Sequence, residues 1–337
     1  MHRSEITVDL GAVRRNVATL QRALETSAVW AVVKADGYGH GAVDVAGAAL
    51  EAGAVVLCVA TVAEGLELRH AYRDARILVM GPWLSRDLTA ARGAGLELVS
   101  VDGEVPDGVR THLKLDSGMG RWGLSELATP SSGVVGLMTH LATADCDEAF
   151  ARRQIARFRV ATEPYSYLTR HAANSAAALR LPEARFDAAR CGVAVYGLSP
   201  FNTDPAEDGL EPALRWESYL AQVKVLHAGE STGYGRRFIA EHDTWIGIVP
   251  VGYADGFRRD LTGTEVRVAG ERRRVVGTVS MDGFAVELDR GLPVGTAVTI
   301  LGHGVLAEEH ARVAGTINYE LLSRIASGPA RARRTVV

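Results

Sequence analysis

Eight short apolar runs recur between residues 28 and 196, and stretches of helical periodicity separate most of them. This alternation restricts the fold more than any other feature of the sequence, because strands that alternate with helices form parallel sheets. Eight such units over about 170 residues predict an α/β fold, a closed (β/α)8 barrel of the TIM type. The runs cover residues 28–33, 55–60, 76–80, 96–101, 110–115, 133–141, 165–170 and 188–196.

Two connections are short for such a barrel. Residues 102–108 leave no room for a helix, and residues 125–132 offer about one turn. Either the outer ring of helices is trimmed at these two points or the strand count is wrong by one. Before the first run, residues 11–25 have the apolar spacing of an amphipathic helix.

The pattern changes near residue 200, where residues 199–209 are rich in turn formers and predict a linker. Beyond the linker the chain is β-like, with a hairpin turn at 269–271 and short helices around 305–314 and 318–326. The basic tail at 331–334 is interpreted as a solvated terminus. The β-like runs cover residues 217–227, 244–252, 264–268, 273–279, 284–288 and 296–301.

These patterns predict two domains. The barrel is assigned to residues 1–205 and a mostly-β domain to residues 206–337, with residues 1–10 able to pair with the β domain. A formal net charge of -3 gives no reason to expect nucleic acid or an anionic membrane as partner. Three widely spaced cysteines make a disulfide framework improbable. With no membrane-length apolar run and no signal-peptide pattern, we expect a cytoplasmic protein.

The first apolar run ends in Lys34, which a glycine-rich segment, residues 35–41, follows. Lysine is rare here, since only Lys34, Lys114 and Lys224 occur among 37 basic residues. Arginine stays protonated, whereas a desolvated lysine can lose its proton and form a Schiff base with a carbonyl. Lys34 is therefore a candidate anchor for pyridoxal phosphate, although an isolated strand-end lysine more often reaches to water.

Further polar residues fall where other barrel strands are predicted to end, and active groups of such barrels lie at those ends. After the fifth run, alternation places Lys114 and Asp116 on one face, with Arg121 in the next glycine turn. Two cations this close would repel unless a negative group lies between them. His140 follows the sixth run; its neighbours Asp145, Cys146 and Asp147 match no closed zinc pattern, so we predict no metal site.

The last two strands of the predicted barrel also end in candidate residues. Asn174 or Ser175 is a good N-cap after the seventh run, and a helix start at that place binds phosphate in barrels of this class. As N-caps alone these residues need no ligand. After the eighth run, Arg190 precedes a backbone segment, Gly192 and Val193, that can also face the phosphate.

Together these segments resemble the alanine racemases, a family of fold-type III pyridoxal phosphate enzymes. The resemblance covers nearly the whole chain, from Val8 to Glu320, with its motifs in family order. The segments that carry it are Lys34–Gly41, Lys114–Gly123, Thr139–Asp145, His171–Ser175, Arg190–Gly197, Pro250–Phe257, Gly277–Asp282 and Thr316–Glu320.

The resemblance implies a role for each candidate residue. Lys34 and Tyr253 are expected to be the catalytic proton carriers on opposite faces of a planar carbanion. A line of contacts from Tyr253 through His140 to Arg190 is expected to favour the phenolate form of Tyr253, because Arg190 is positively charged. Arg121 and the backbone of Met281 are expected to bind the substrate carboxylate. The expected cofactor-binding residues are Lys34, Tyr38, His140, Asn174, Ser175, Arg190, Gly192, Val193 and Tyr319.

Two of the implied roles have distinct chemistry. Lys114 is expected to be carbamylated, which would turn a repelling cation into an anion that orients Arg121; the alternative is a simple ion pair with Asp116. Arg190 is expected to face the pyridine nitrogen. An arginine there, with a pKa ordinarily above ~12, only donates, whereas a carboxylate would make the ring a stronger electron sink. Side reactions such as transamination should therefore be suppressed.

The family's reaction is the interconversion of L- and D-alanine, which supplies D-alanine for peptidoglycan, and its members are homodimers with a site shared between subunits. Three alternatives remain open at this stage. A decarboxylase of the same plan would want an acidic partner for the pyridine nitrogen, and a non-catalytic pyridoxal phosphate carrier is usually the barrel alone. A racemase of another small amino acid, such as serine, is the third alternative.

Overall fold

The computed structural model describes residues 2–337. They form two compact units, one of residues 2–10, Asn202–Pro205 and Pro212–Val337, and the other of Gly11–Phe201 and Ala206–Glu211. The predicted domain boundary after residue 205 assigned residues 206–211 to the β domain, whereas in the structure they belong to the unit of Gly11–Phe201. Asn16 holds that segment, because its Oδ1 accepts the N–H of Glu211 at 2.8 Å and its Nδ2 donates to the carbonyl of Glu211 at 2.9 Å.

The unit of residues 11–201 contains a closed parallel barrel, as predicted. It follows strand β1 (Glu5–Val8), which belongs to the other unit, and helix α1 (Leu10–Leu24). The last barrel strand pairs with the first, with Ala31 opposite Cys191. The eight strands are β2 (Ala28–Val32), β3 (Val56–Val59), β4 (Ile77–Val79), β5 (Glu97–Ser100), β6 (Thr111–Lys114), β7 (Val134–Met138), β8 (Thr169–His171) and β9 (Ala188–Cys191).

Each predicted run overlaps one strand, so the count of eight is confirmed. The seventh strand begins late, because residues 163–165 form a 3-10 turn that prolongs the preceding helix. The outer ring is trimmed where the sequence predicts it: in the described structure no helix lies in residues 101–110 or 115–133. The helices around the barrel are α2 (Lys34–Tyr38), α3 (Ala42–Glu51), α4 (Val62–Ala71), α5 (Leu88–Gly93), α6 (Glu148–Thr162) and α7 (Ser175–Arg180).

The other unit is mostly β, as predicted, and its main sheet has nine strands in the order β11-β14-β17-β16-β15-β18-β10-β1-β19. Strands β12 and β13 form a separate hairpin. The strands are β10 (Leu214–Tyr219), β11 (Gln222–Leu226), β12 (Ser231–Thr232), β13 (Phe238–Ile239), β14 (Thr244–Val249), β15 (Glu265–Val268), β16 (Glu271–Val276), β17 (Phe284–Leu288), β18 (Ala297–Leu301) and β19 (Arg333–Val336), with helices α8 (Ala307–Ala314) and α9 (Asn318–Leu322).

Two predictions for this unit were wrong in detail. The run at 217–227 is two strands, because residues 220–221 turn between β10 and β11. The basic tail is not a free terminus: β19 pairs in parallel with β1, Glu5 opposite Arg333, which satisfies its backbone hydrogen bonds within the sheet. Two adjacent arginines at its start, Arg333 and Arg334, hid this strand from the apolar pattern. Across residues 2–337, no helix has both the length and the apolar character needed to span a membrane.

Candidate functional site

Lys34 lies directly after β2, at the carboxyl end of the barrel strands. The residues that follow it have left-handed backbones, with φ of +52° at Ala35, +50° at Asp36 and +53° at Tyr38. Each such residue costs about 1–2 kcal/mol unless it is glycine. Glu64 helps to hold the turn, because its Oε1 accepts the N–H of Ala35 at 2.7 Å. Backbone strain of this kind concentrates at functional sites, and here it lies beside the predicted cofactor anchor.

The surroundings of Lys34 favour its neutral amine. Burial lowers the pKa of Lys34, and the positive charges of Arg121 and Arg190 lower it further, against the opposing charge of Glu64. A lysine must lose its proton before it can attack a carbonyl. The barrel therefore supplies at Lys34 the chemistry that a Schiff-base lysine needs.

Lys114 ends β6 with its side chain buried in the barrel. Burial, followed by the charges of Arg121 and Arg190, lowers the pKa of Lys114 to about 8. Its Nζ lies 5.5 Å from the centroid of the Trp122 ring, and the guanidinium of Arg121 lies 4.9 Å from that ring centroid. The structure thus brings the two predicted cations together around one indole ring, where cation–π attraction offsets part of their repulsion.

Asp116 shapes the glycine turn that carries Arg121. Its carboxylate accepts the backbone N–H groups of Gly118 at 2.9 Å, Met119 at 2.8 Å and Gly120 at 2.9 Å. In the part of the chain that the structure describes, no ion pair within 4.0 Å joins Asp116 to Lys114. The carboxylate is thus engaged by backbone donors.

Arg190, on β9, is buried inside the barrel, and burial lowers its pKa to about 10, so it stays protonated near neutral pH. Its Nη1 donates to the Nδ1 of His171 at 2.8 Å and to the carbonyl of the same residue at 2.7 Å. Its Nη2 donates to the carbonyls of Thr139 at 2.7 Å and Ala172 at 3.1 Å. Both terminal nitrogens are therefore occupied by protein acceptors, and the Nε–H group is left for a ligand.

His140 lies beside Arg190, with its Nδ1 3.4 Å from the Nη2 of the arginine. Burial, and then the charge of Arg190, lowers the pKa of His140 well below its usual value. The predicted neighbours His140 and Arg190 are thus close in space. The predicted link from Tyr253 to His140 joins different units and stays a prediction. Among residues 2–337, no cluster of three or more His, Cys, Asp or Glu side chains is arranged to hold a metal ion.

Ser175 and Gly192 bring α7 and the end of β9 together. Asn174 caps α7, since its Oδ1 accepts the N–H of Ala177 at 3.0 Å. The hydroxyl oxygen of Ser175 accepts the N–H groups of Gly192 at 3.0 Å and Ala194 at 3.4 Å. Because both lone pairs of the hydroxyl are engaged, its proton is directed to an outside acceptor.

Tyr38 is the second donor of this region. A Cβ added at Gly192 would come within 2.6 Å of the Tyr38 hydroxyl, so only glycine permits this approach. Burial raises the pKa of Tyr38, which keeps its phenol protonated and able to donate. The next residue, Val193, is buried and begins a 3-10 turn. Two hydroxyl donors at one end of the barrel fit the phosphate of pyridoxal phosphate, as Lys34 fits its aldehyde.

In the β unit, Tyr253 and Met281 are neighbours. The backbone N–H of Tyr253 donates to the carbonyl of Ser280 at 3.1 Å, and that of Ala254 donates to the carbonyl of Met281 at 3.1 Å. Tyr253 is 43% exposed and Met281 52% exposed. A cavity of about 830 Å³ adjoins Tyr253 and is also lined by Thr278 and the arginines 237, 258, 259 and 324, among others. Tyr319 lies in the first turn of α9 and is partly buried.

A second exposed tyrosine of this unit escaped the sequence analysis. Tyr234 is 74% exposed and lies between Gly233 and Gly235, both with left-handed φ angles, +77° and +72°. Its carbonyl accepts the hydroxyl of Thr278 at 2.7 Å, and a Cβ at Gly233 would meet the Thr278 nitrogen at 2.9 Å. In the sequence, the one signal at this position is a tyrosine flanked by two glycines; its contact with the segment that carries Met281 is visible only in the structure.

Comparisons with known proteins agree along the chain. The family model described as "Alanine racemase, N-terminal domain" matches residues 8–200, and "Alanine racemase, C-terminal domain" matches residues 213–334. Alanine racemase 1 of Bacillus subtilis is 38% identical over 95% of this chain and 90% of its own length. The alanine racemase of Symbiobacterium thermophilum is 40% identical over 94% of this chain and 93% of its own.

Solved structures give the same result. The crystal structure of alanine racemase from D-cycloserine producing Streptomyces lavendulae superposes with a TM-score of 0.91 at 35% sequence identity. That superposition covers 100% of this chain and 97% of the Streptomyces chain.

Proposed function

We propose how this chain, a member of the alanine racemase family, uses its own residues to interconvert the enantiomers of alanine. The chain is an isomerase, and its proposed cofactor is pyridoxal phosphate. The observation that carries the proposal is Lys34: a lysine with a lowered pKa at a barrel strand end, beside a strained turn. Bound pyridoxal phosphate supplies an electron-withdrawing ring that makes the Cα proton of an amino acid acidic. Lys34 would hold the cofactor covalently, and its free amine would carry a proton on one face of Cα.

The donors around α7 would hold the phosphate. The Ser175 hydroxyl and the Tyr38 phenol would donate to it, while Asn174 fixes the start of the helix. Gly192 and Val193 line the same place with backbone, and Tyr319 contributes a further phenol. Hydrogen bonds from several neutral donors to an anion are strong where water is excluded, so these groups set both the affinity for the cofactor and its position.

Arg190 would hold the pyridine nitrogen through its Nε–H, because its other N–H groups already have protein partners. Since Arg190 keeps its proton near neutral pH, it would leave that nitrogen unprotonated, and the ring would be a weaker electron sink than one with a protonated nitrogen. His140 packs beside the ring as a neutral imidazole. This environment favours fast return of a proton to Cα over transamination, which matches a racemase.

The substrate carboxylate is held by Arg121 and by the backbone of Met281. Arg121 lies over the Trp122 ring, and a carbamate on Lys114, which faces the same ring, would replace a repelling charge by an attracting one. The pKa of about 8 at Lys114 supports this, because the neutral amine is the form that adds carbon dioxide. Orientation of the carboxylate places the Cα–H bond between the two proton carriers.

The second proton carrier is a tyrosine of the β unit. Tyr253 is the residue that the sequence predicts, and it adjoins Met281. We propose Tyr253 because the segment Pro250–Phe257 that contains it carries the family resemblance and its backbone is hydrogen-bonded to the segment of Met281. Tyr234, 74% exposed and flanked by glycines, is the other exposed tyrosine near that segment, and the pair of phenylalanine variants tests the choice.

We propose that the site is completed in a homodimer. Tyr253 and Met281 are well exposed in the single chain, although both are proposed to lie near one small substrate. A second copy of the chain that covers these groups would shield them from water and make them part of an enclosed site. The D-alanine produced would supply peptidoglycan synthesis.

The function is tested by following both enantiomers of several amino acids with the purified protein and added pyridoxal phosphate. L- and D-alanine are expected to reach equal concentrations from either side, since the equilibrium constant between enantiomers is one, with serine converted more slowly. Loss of carbon dioxide from any substrate, or no conversion of alanine with cofactor present, would contradict the proposal.

A further inference from the structure

A line of hydrogen bonds runs through the barrel interior from Glu97 on β5 to Arg190 on β9. The Oε2 of Glu97 lies 3.0 Å from the Nε2 of His112, and the Nδ1 of His112 lies 2.9 Å from the Nε2 of His171. The Nδ1 of His171 lies 2.8 Å from the Nη1 of Arg190. All four side chains are buried, each with at most 3% exposure. Neither Glu97 nor His112 has a role in the proposed reaction.

The positions of the hydrogens along this line follow from Arg190, which can only donate. The Nδ1 of His171 must therefore accept, so its proton is on Nε2 and is donated to the Nδ1 of His112. The proton of His112 is then on Nε2 and is donated to Glu97. If His112 carried a proton on both ring nitrogens, its Nδ1–H would have to donate to the Nε2 of His171, and His171 would then carry no proton on either nitrogen. Both imidazoles are therefore neutral, and their tautomers are fixed.

The carboxylate end of the line is anchored at the opposite end of the barrel strands from Lys34. Glu97 also accepts hydrogen bonds from Arg76, at 3.0 Å to each oxygen, and forms an ion pair with Arg110 at 3.1 Å. Burial opposes ionisation, but hydrogen bonds from His112 and Arg76 lower the pKa of Glu97 to about 2, so it is a carboxylate at neutral pH. At the other end, the partners of Arg190 are neutral acceptors.

We propose that Glu97 is a positioning residue for Arg190 that acts through His112 and His171. Glu97 fixes the tautomers of these two histidines, so that His171 presents a lone pair to the guanidinium of Arg190. Arg190 is then held by Nη1 with its Nε–H directed to the cofactor ring. A Glu97 that only stabilised the barrel would not determine which imidazole nitrogens are protonated. The inference rests on the proposed function only for the role of Arg190 toward the cofactor.

The test is solid-state 15N NMR of protein labelled at the histidine ring nitrogens, with His112 and His171 assigned by single substitutions. In the unaltered holoenzyme, both residues are expected to be protonated at Nε2 alone. In Glu97→Gln, the amide can donate to His112, which makes a reversed arrangement accessible in which both histidines are protonated at Nδ1 and His171 gives up its hydrogen bond from Arg190. Nδ1-protonated signals of His112 and His171 should therefore appear beside the original ones. Glu67→Gln, at an exposed glutamate, is the matched control and should leave the spectrum unchanged.

The same variants are assayed for alanine racemisation. We expect kcat of Glu97→Gln to fall about tenfold with little change in KM, the effect of losing one hydrogen bond of ~1.4 kcal/mol at Arg190. Nδ1 protonation of His171 in the unaltered protein, or unchanged tautomers in Glu97→Gln, would overturn the inference whatever the activity. If Glu97→Gln does not fold, the unaltered protein alone still decides the tautomers. Failure of racemisation with the expected tautomers would count against the proposed function instead.

Discussion

The hydroxyl oxygen of Ser175 accepts a hydrogen bond from the backbone N–H of Gly192 at 3.0 Å. This contact joins the start of α7 to the end of β9 and engages the lone pairs of the hydroxyl. The hydroxyl proton is the part that remains for a ligand. One side chain thus fastens two barrel connections and offers a donor to an anion.

Ser175→Ala is therefore expected to weaken cofactor binding. Loss of one hydrogen bond to a charged phosphate corresponds to about 10- to 100-fold in the dissociation constant. Titration of the apoprotein with pyridoxal phosphate, followed by absorbance, measures the change. Ser132→Ala, at an exposed serine, should bind as the unaltered protein does, and equal affinity in both variants would remove Ser175 from the phosphate site.

Lys114 is expected to take up carbon dioxide in a pH-dependent manner. Because burial and two arginines lower its pKa to about 8, the fraction of neutral amine rises as the pH increases through that value. A carbamate carbon signal should therefore appear in 13C NMR with labelled bicarbonate and strengthen above the pKa. Lys114→Ala should lose the signal and the exposed Lys224→Ala should keep it; a signal that follows Lys224 would contradict the assignment.

The two tyrosine candidates are separated by isotope exchange. The phenylalanine variant of the true proton carrier should exchange the Cα hydrogen of L-alanine with solvent deuterium about 10²- to 10⁴-fold more slowly, the usual contribution of a general base. Exchange from D-alanine should suffer less, because Lys34 serves that face. We expect this asymmetry in Tyr253→Phe. If it occurs in Tyr234→Phe instead, the assignment of the proton carrier to Tyr253 is wrong, and if it occurs in neither variant, the second carrier is not one of these two tyrosines.

Glu97 is expected to make the holoenzyme sensitive to acid. Its carboxyl has a pKa of about 2 when folded against an ordinary value of 4.5, so its contribution to stability is fully present above about pH 4.5 and is lost as the pH falls toward 2. The free energy of unfolding in urea should therefore differ between the unaltered protein and Glu97→Gln by up to about 3 kcal/mol near neutral pH and converge in acid. Parallel curves would show that Glu97 titrates normally, and Glu67→Gln should follow the unaltered protein.

The barrel was predictable from sequence because its strands are buried on both faces and appear as continuous apolar runs. Strand β19 was not predictable from sequence, because an arginine-rich edge strand has no apolar pattern and is defined only by its pairing with β1. The division of the run at 217–227 was missed for another reason: both of its strands are β-like, and only the turn at residues 220–221 separates them.

The candidate site shows the same contrast. Residues in contiguous motifs, such as Lys34 and Ser175, could be selected because their place at a strand end has a direct chemical meaning. Glu97 and His171 could not be connected from sequence, because they lie 74 positions apart and meet only through His112 in the closed barrel. Tyr234 lies in a short loop without apolar pattern, and its relation to Thr278 exists only in the folded unit.

The most direct test of the account is the attachment point of the cofactor. The holoenzyme is reduced with borohydride, digested, and analysed by mass spectrometry for the peptide that carries the pyridoxyl group. With only three lysines in the chain, the assignment is unambiguous. We predict modification of Lys34 and its loss in Lys34→Ala; a pyridoxyl group on Lys114 or Lys224, or none on any lysine, would contradict the account.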